Sequence, residues 1–176
     1  MSTFIDAVLA EDLDWGPQQD IDSERVINTV LDAESPQIVV LNGDLITGEN
    51  TYLANSSLYV DVIVRPLVQR GLTWASTYGN HDRNFNLSSQ AMLERECAYP
   101  NSRTESMVSS PNAGVTNYYL PVFSSNVTET VPALILWFFD SRGGNHFLEL
   151  DESGNEIPYP SYVDDSVSHV FHHSPM

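Results

Sequence analysis

Residues 37–44 read QIVVLNGD, and residues 73–82 read TWASTYGNHD. In each, a short run rich in β-branched and aromatic residues stops at a glycine, the pattern of a buried strand of a parallel sheet that ends in a polar turn. Between them, residues 57–70 carry Tyr59, Ile63 and Leu67 at four-residue spacing, with Gly71 placed to cap a helix. Strand, helix, strand makes a β-α-β unit. A right-handed crossover would set the two strands side by side, about 4.8 Å apart, and carry Asp44 and Asn80 into one crevice at the carboxyl ends.

That crevice has the donors of a phosphoester site. Asp44 offers a carboxylate able to bridge two cations, and Asn80 adds a neutral carbonyl oxygen; adjacent strand ends suit the ~3.5–4 Å separation of two-metal hydrolases. His81 can protonate a leaving group, and Asp82 can hold its ring. Gly-Asp after a strand is by itself a common turn, whereas Gly-Asn-His-Asp after a strand is rarer, and the pair together point to chemistry.

Outward from this unit, residues 20–33 read as an amphipathic helix with Val26, Ile27, Val30 and Leu31 on one side and Asp22 or Ser23 as its cap. Residues 88–98 suggest a shorter helix. Residues 99–114 are too rich in Pro, Asn and Ser for regular structure. Residues 118–122 and 133–140 read as strands, 151–160 as a surface loop, and 162–171 as a final helix. Trp15 and Trp74 suit a core. Arg142 could grip a phosphate, although a salt bridge to Asp140 or another carboxylate is the more ordinary use of a scarce cation.

At these residues the chain resembles the calcineurin-like metallophosphoesterases, whose signature runs Asp-x-His, Gly-Asp, Gly-Asn-His-Asp, then two histidine motifs ending in Gly-His-x-His. DWGPQQDIDSERVINTVLDAE, LNGDLITGENT, LTWASTYGNHD, AGVTNYYLPV and ALILWFFDSRGG extend the likeness over about residues 11–168, toward a fungal branch related to purple-acid-phosphatase-like enzymes. The resemblance implies an α/β fold, a four-layer αββα sandwich of two facing sheets with helices outside. It implies metal-dependent hydrolysis of phosphate monoesters, with Asp12, Asp44 and Asn80 as metal ligands, and His81, steadied by Asp82, acting on the phosphoryl oxygens or leaving group. The loop at 99–114 would shape substrate choice.

The departures are as informative. Asp12 fits the first aspartate, but the run into Trp15-Gly16-Pro17 reads as if a short segment carrying the histidine were missing; if no gap is allowed, Asp14 takes the histidine slot, where a carboxylate would harden the site toward Mn²⁺ or Mg²⁺. His81, His146, His169, His172 and His173 are the five histidines, and none lies in Gly-His-x-His. His146 follows Gly143-Gly144-Asn145 and reads as part of a surface turn. The purple enzymes' ligand tyrosine is replaced by Thr47, so no tyrosinate-iron colour is expected. Two divalent ions, Mn, Zn or Fe with Mn favoured, are the implied cofactors. The expectation is a single domain at residues 1–176, the N-terminal portion of the family fold, with an open sheet edge, poor solubility and impaired catalysis. The alternative is an inactive remnant that binds a single cation through Asp12, Asp44 and Asn80. An acidic calcium loop at Asp12-x-Asp14-x-Gly16 fails because its glycine falls one place early.

The chain has 24 acidic residues against seven arginines and no lysine, a net charge of −17. Nucleic acid and anionic membrane, which need a basic face, are disfavoured as partners. A phosphorylated protein or small phosphoester is the expected substrate, with cations reversing the local sign. No run nears the ~18 apolar residues of a membrane span, and the first residues lack a signal-peptide pattern. The default expectation is cytoplasmic. Sequons at Asn55, Asn86 and Asn126 tip it slightly toward an exported ancestor. Cys97 stands alone.

Overall fold

The computed structural model describes residues 16–173. Helix α1 spans Gly16–Glu34, β1 Ile38–Asn42, α2 Tyr59–Gln69, β2 Thr73–Thr77, α3 Ser89–Cys97, β3 Tyr118–Val122, β4 Leu134–Phe138, β5 Asn145–Leu150, β6 Glu156–Pro158 and α4 Asp165–His173. Strands β1 and β2 pair in parallel through α2, in register from Ile38 opposite Thr73 to Asn42 opposite Thr77.

Alternation along these two strands sorts their side chains between two cores. Val39, Leu41 and Trp74 face the helices, where they pack with Leu31 of α1, Val64 and Leu67 of α2, and Met92 of α3. Ile38 and Ala75 face the other way, onto Tyr118 and Phe138 of the antiparallel β3–β4 pair. The Tyr118 and Phe138 rings stack at 4.5 Å, and the Tyr118 hydroxyl donates to the Ser76 carbonyl at 2.7 Å, tying one sheet to the other. On the far side of β3–β4, Phe171 of α4 lies edge-on to Trp137, Tyr119 and Phe139. The order is therefore helices, sheet, sheet, helix. This is the expected αββα layering, built from two-stranded sheets among the described residues.

Several boundaries differ from the sequence reading. Helix α1 begins at Gly16 rather than near Asp20, so Asp22 does not cap it but pairs with Arg25 one turn on. Residues 56–58 form a 3-10 turn ahead of α2. The segment at 151–160 contains strand β6, and His146 lies in β5 rather than in a turn; the two strands pair from Asn145 opposite Pro158. Short polar strands are hidden from periodicity when their apolar residues do not alternate. Among the described residues β1 pairs with β2 alone, and Val40 on it remains 48% exposed.

Candidate active site

The last rung of β1–β2 joins Asn42 to Thr77, so the Gly43-Asp44 and Gly79-Asn80 turns leave the sheet together. They nest closely. A Cβ on Gly43 would lie 2.9 Å from the Gly79 nitrogen, and one on Gly79 would lie 2.2 Å from Asp44 Oδ1. Only hydrogen at these two positions permits the approach. Asp44 itself takes φ 49°, a left-handed conformation that costs a non-glycine residue energy and that Asp tolerates better than most. Its Oδ1 accepts the backbone N–H of His81 at 3.1 Å. The structure thus brings Asp44, Asn80 and His81 together, with Asp44 and Asn80 exposed.

Asp82 does something other than steady the imidazole. It is fully buried, its Oδ1 accepting the Ile46 N–H at 2.7 Å and its Oδ2 the Gly79 N–H at 2.9 Å. One carboxylate thereby clamps the two turns to each other. Burial pushes its pKa up to about 7, against the pull of these amides. The ring of His81 turns outward, and its Nδ1 lies 2.9 Å from Glu49 Oε1. Glu49 sits in a 3-10 turn, Gly48–Asn50, docked by a Gly48 N–H to His81 carbonyl bond of 2.9 Å. Consecutive residues in a turn point in different directions, so Asp82 faces the interior while His81 faces solvent. Glu49 was missed because an acidic residue five places after Asp44 carries no periodic signal.

A third turn closes the group. Gly143 approaches Asn80 so closely that a Cβ there would lie 2.7 Å from the asparagine Cβ. Asp140, at the end of β4 and fully buried, accepts Arg83 Nη2 at 2.8 Å and the N–H groups of Val115 and Arg142, each at 2.8 Å. Of the two options for Arg142, the structure has its side chain near another carboxylate, Asp164, at 3.6 Å, while Arg83 takes Asp140. Beneath β2, the buried Glu96 accepts Trp74 Nε1 at 2.8 Å, Ser76 Oγ at 2.5 Å, Thr104 Oγ1 at 2.6 Å and the Tyr78 hydroxyl at 2.9 Å. Neither Arg83 nor Glu96 stood out in the sequence, because partners so far apart along the chain leave no local pattern.

Asp12 and Asp14 lie outside the described residues. Among those described, no three His, Cys, Asp or Glu side chains are grouped to hold an ion. His146 stacks on Tyr159 at 3.7 Å and approaches Glu149 at 3.3 Å, and His169 is exposed on α4. The donors that are present, a carboxylate and an amide oxygen on adjoining turns, are hard ligands that fit a hard or borderline divalent cation.

A layered α/β fold whose strand ends hold Gly-Asp and Gly-Asn-His-Asp in contact is that of a metallophosphoesterase domain. The chain belongs to the calcineurin-like phosphoesterase family, which it matches over residues 14–176. It is similar to phosphatase DCR2 of Saccharomyces cerevisiae, 34% identical over 123 residues, 68% of this chain and 21% of that protein. Two proteins of Arabidopsis thaliana named probable inactive purple acid phosphatases, 14 and 29, are each 27% identical, over 58% and 69% of this chain and 26% and 32% of their own lengths. The chain therefore spans between about a fifth and a third of these relatives. No solved structure matches.

Proposed function

We propose that this domain hydrolyses phosphate monoesters at the crevice formed by Asp44, Asn80 and His81, with Asp12 as a further ligand. The observation that carries the reading is the contact of Asp44 Oδ1 with the His81 amide across the two turns. Asp44, Asn80 and Asp12 would hold divalent cation, Mn²⁺ in preference to Zn²⁺ or Fe²⁺. When bound, such ions supply Lewis-acid charge and lower the pKa of water toward ~7. In its imidazolium form His81 donates from Nδ1–H to Glu49 Oε1, which orients the ring so that its second proton, on Nε2, can pass to the phosphoryl or leaving-group oxygen. Asp82 contributes by locking the turns. The substrate is a phosphorylated protein or small phosphoester, and the acidic surface disfavours nucleic acid.

A second reading has its own support. Plant relatives carry names marking them as probably inactive, and no described histidine other than His81 comes from the site's two turns. In that case the domain binds one cation without turnover. Hydrolysis of p-nitrophenyl phosphate with added Mn²⁺ separates the readings. The active site predicts a rate that falls at least a hundredfold in Asp44→Asn; equal rates for the two proteins would remove it.

A further inference from the structure

A cavity of about 540 Å³ opens between the segment at 106–111, the first turn of α3 and the turn at 140–144. The residues that line it include Ser106, Ser109, Ser110 and Gln90, together with Arg83 and Arg142. The distribution of cations over the molecule makes this notable. Arg25, Arg65, Arg70 and Arg95 form surface ion pairs, and Arg103 donates to the carbonyls of Pro100 and Ser102. Arg83 and Arg142 are the buried ones, each 4% exposed, and both line the same cavity.

Their partners differ. Arg83 is consumed by Asp140 and Ser89. Arg142 donates from Nε and Nη2 to the Tyr162 carbonyl, both at 3.2 Å, and lies 3.6 Å from Asp164, beyond hydrogen-bond range. Its guanidinium also lies over the Tyr162 ring, 4.9 Å from the centroid, and its Nη1 makes no hydrogen bond to a described residue. The backbone of Arg142 is left-handed at φ 61°, held there by its N–H to Asp140 Oδ1 and by Gly143 against Asn80. Strain of this kind persists where the surroundings hold a side chain in a fixed place.

We infer that this cavity is a leaving-group subsite that takes a second oxyanion, a carboxylate or phosphate on the alcohol portion of the substrate. The inference rests on the phosphoester reading above and deepens it. Arg142 Nη1 supplies a charged donor, and the lining serines can supply neutral ones. Gly143, which follows Arg142 in the chain, packs against Asn80, so the turn that carries this arginine also touches the proposed reacting centre. Arg142, a buried cation whose nearest carboxylate oxygen stands 3.6 Å away, suits an anionic guest rather than a neutral one.

Isothermal titration of the full chain with inorganic phosphate, in EDTA, tests the site apart from any bound metal. Saturable binding is expected, weakened about tenfold in Arg142→Gln and in Ser109→Asp, and tightened in Asp164→Asn. Ser109 is exposed, so its variant decides the matter if Arg142→Gln does not fold. No saturable binding, or equal affinity in wild type and Ser109→Asp, overturns the site. Because EDTA is present, this result is read whether or not the chain hydrolyses esters. With Mn²⁺, Ser109→Asp should lower kcat/KM on 2-phosphoglycolate about tenfold more than on p-nitrophenyl phosphate; equal losses overturn the leaving-group assignment.

Discussion

The His81 ring meets Glu49, with Nδ1 and Oε1 2.9 Å apart, while the adjacent Asp82 turns into the core. If Glu49 orients the imidazole, Glu49→Ala should lower kcat on p-nitrophenyl phosphate about tenfold with KM little changed. Glu49→Gln, which keeps an acceptor oxygen, should recover part of that loss. Steady-state kinetics of the two variants check it, and an unaltered kcat in Glu49→Ala would assign the pair to the surface alone.

Gly79 lies where any Cβ would fall 2.2 Å from Asp44 Oδ1. Gly79→Ala should therefore push the carboxylate out of its place, destabilise the fold by about 1–3 kcal/mol and abolish Mn²⁺-dependent hydrolysis. Gly71→Ala is the control, since no atom lies within 4 Å of a Cβ there; its own left-handed φ of 66° should cost stability while sparing the site. Urea denaturation and activity are measured on both.

The Glu96 carboxylate holds four neutral donors beneath β2. Glu96→Leu would leave all four without their acceptor in a buried place, at a cost of about 3 kcal/mol or more. Thermal unfolding should show this as a fall in Tm, whereas Glu94→Leu on the same helix, an exposed position, should change it little.

Asp61 pairs with Arg95 and accepts the Tyr99 hydroxyl at 2.6 Å; the guanidinium hydrogen bond, then the phenol, hold its pKa below the ordinary 3.8. A depressed carboxylate stabilises the fold above its unfolded pKa and ceases to do so as pH falls through the folded one. Asp61→Asn should therefore be less stable than wild type at pH 7, by under about 1 kcal/mol for so accessible a pair. The difference should vanish in acid, as urea midpoints at pH 7 and below pH 3 would reveal.

The three sequons are not equivalent. Asn86 Nδ2 is engaged with the Thr51 carbonyl at 3.4 Å and Asn55 Oδ1 is buried, whereas Asn126 is exposed in a turn. Expression through a secretory host should add glycan at Asn126 alone. Loss of the mass increment in Asn126→Gln checks it, and an increment that survives would locate the glycan elsewhere.

The sequence alone determined the β-α-β unit and the place of its polar turns, because an apolar β-branched strand, an amphipathic helix and a terminating glycine each leave a short-range pattern. It also determined the family, since Gly43-Asp44 and Gly79 to Asp82 are contiguous runs. What only the tertiary structure decided is who serves whom. Asp82 clamps turns, Glu49 meets the imidazole, Arg83 claims Asp140, and Glu96 gathers donors from β2 and beyond. Those pairings join residues 3 to 57 positions apart. Which carboxylate turns inward, and which donor it meets, depends on how turns nest in space, and spacing along the chain does not encode that.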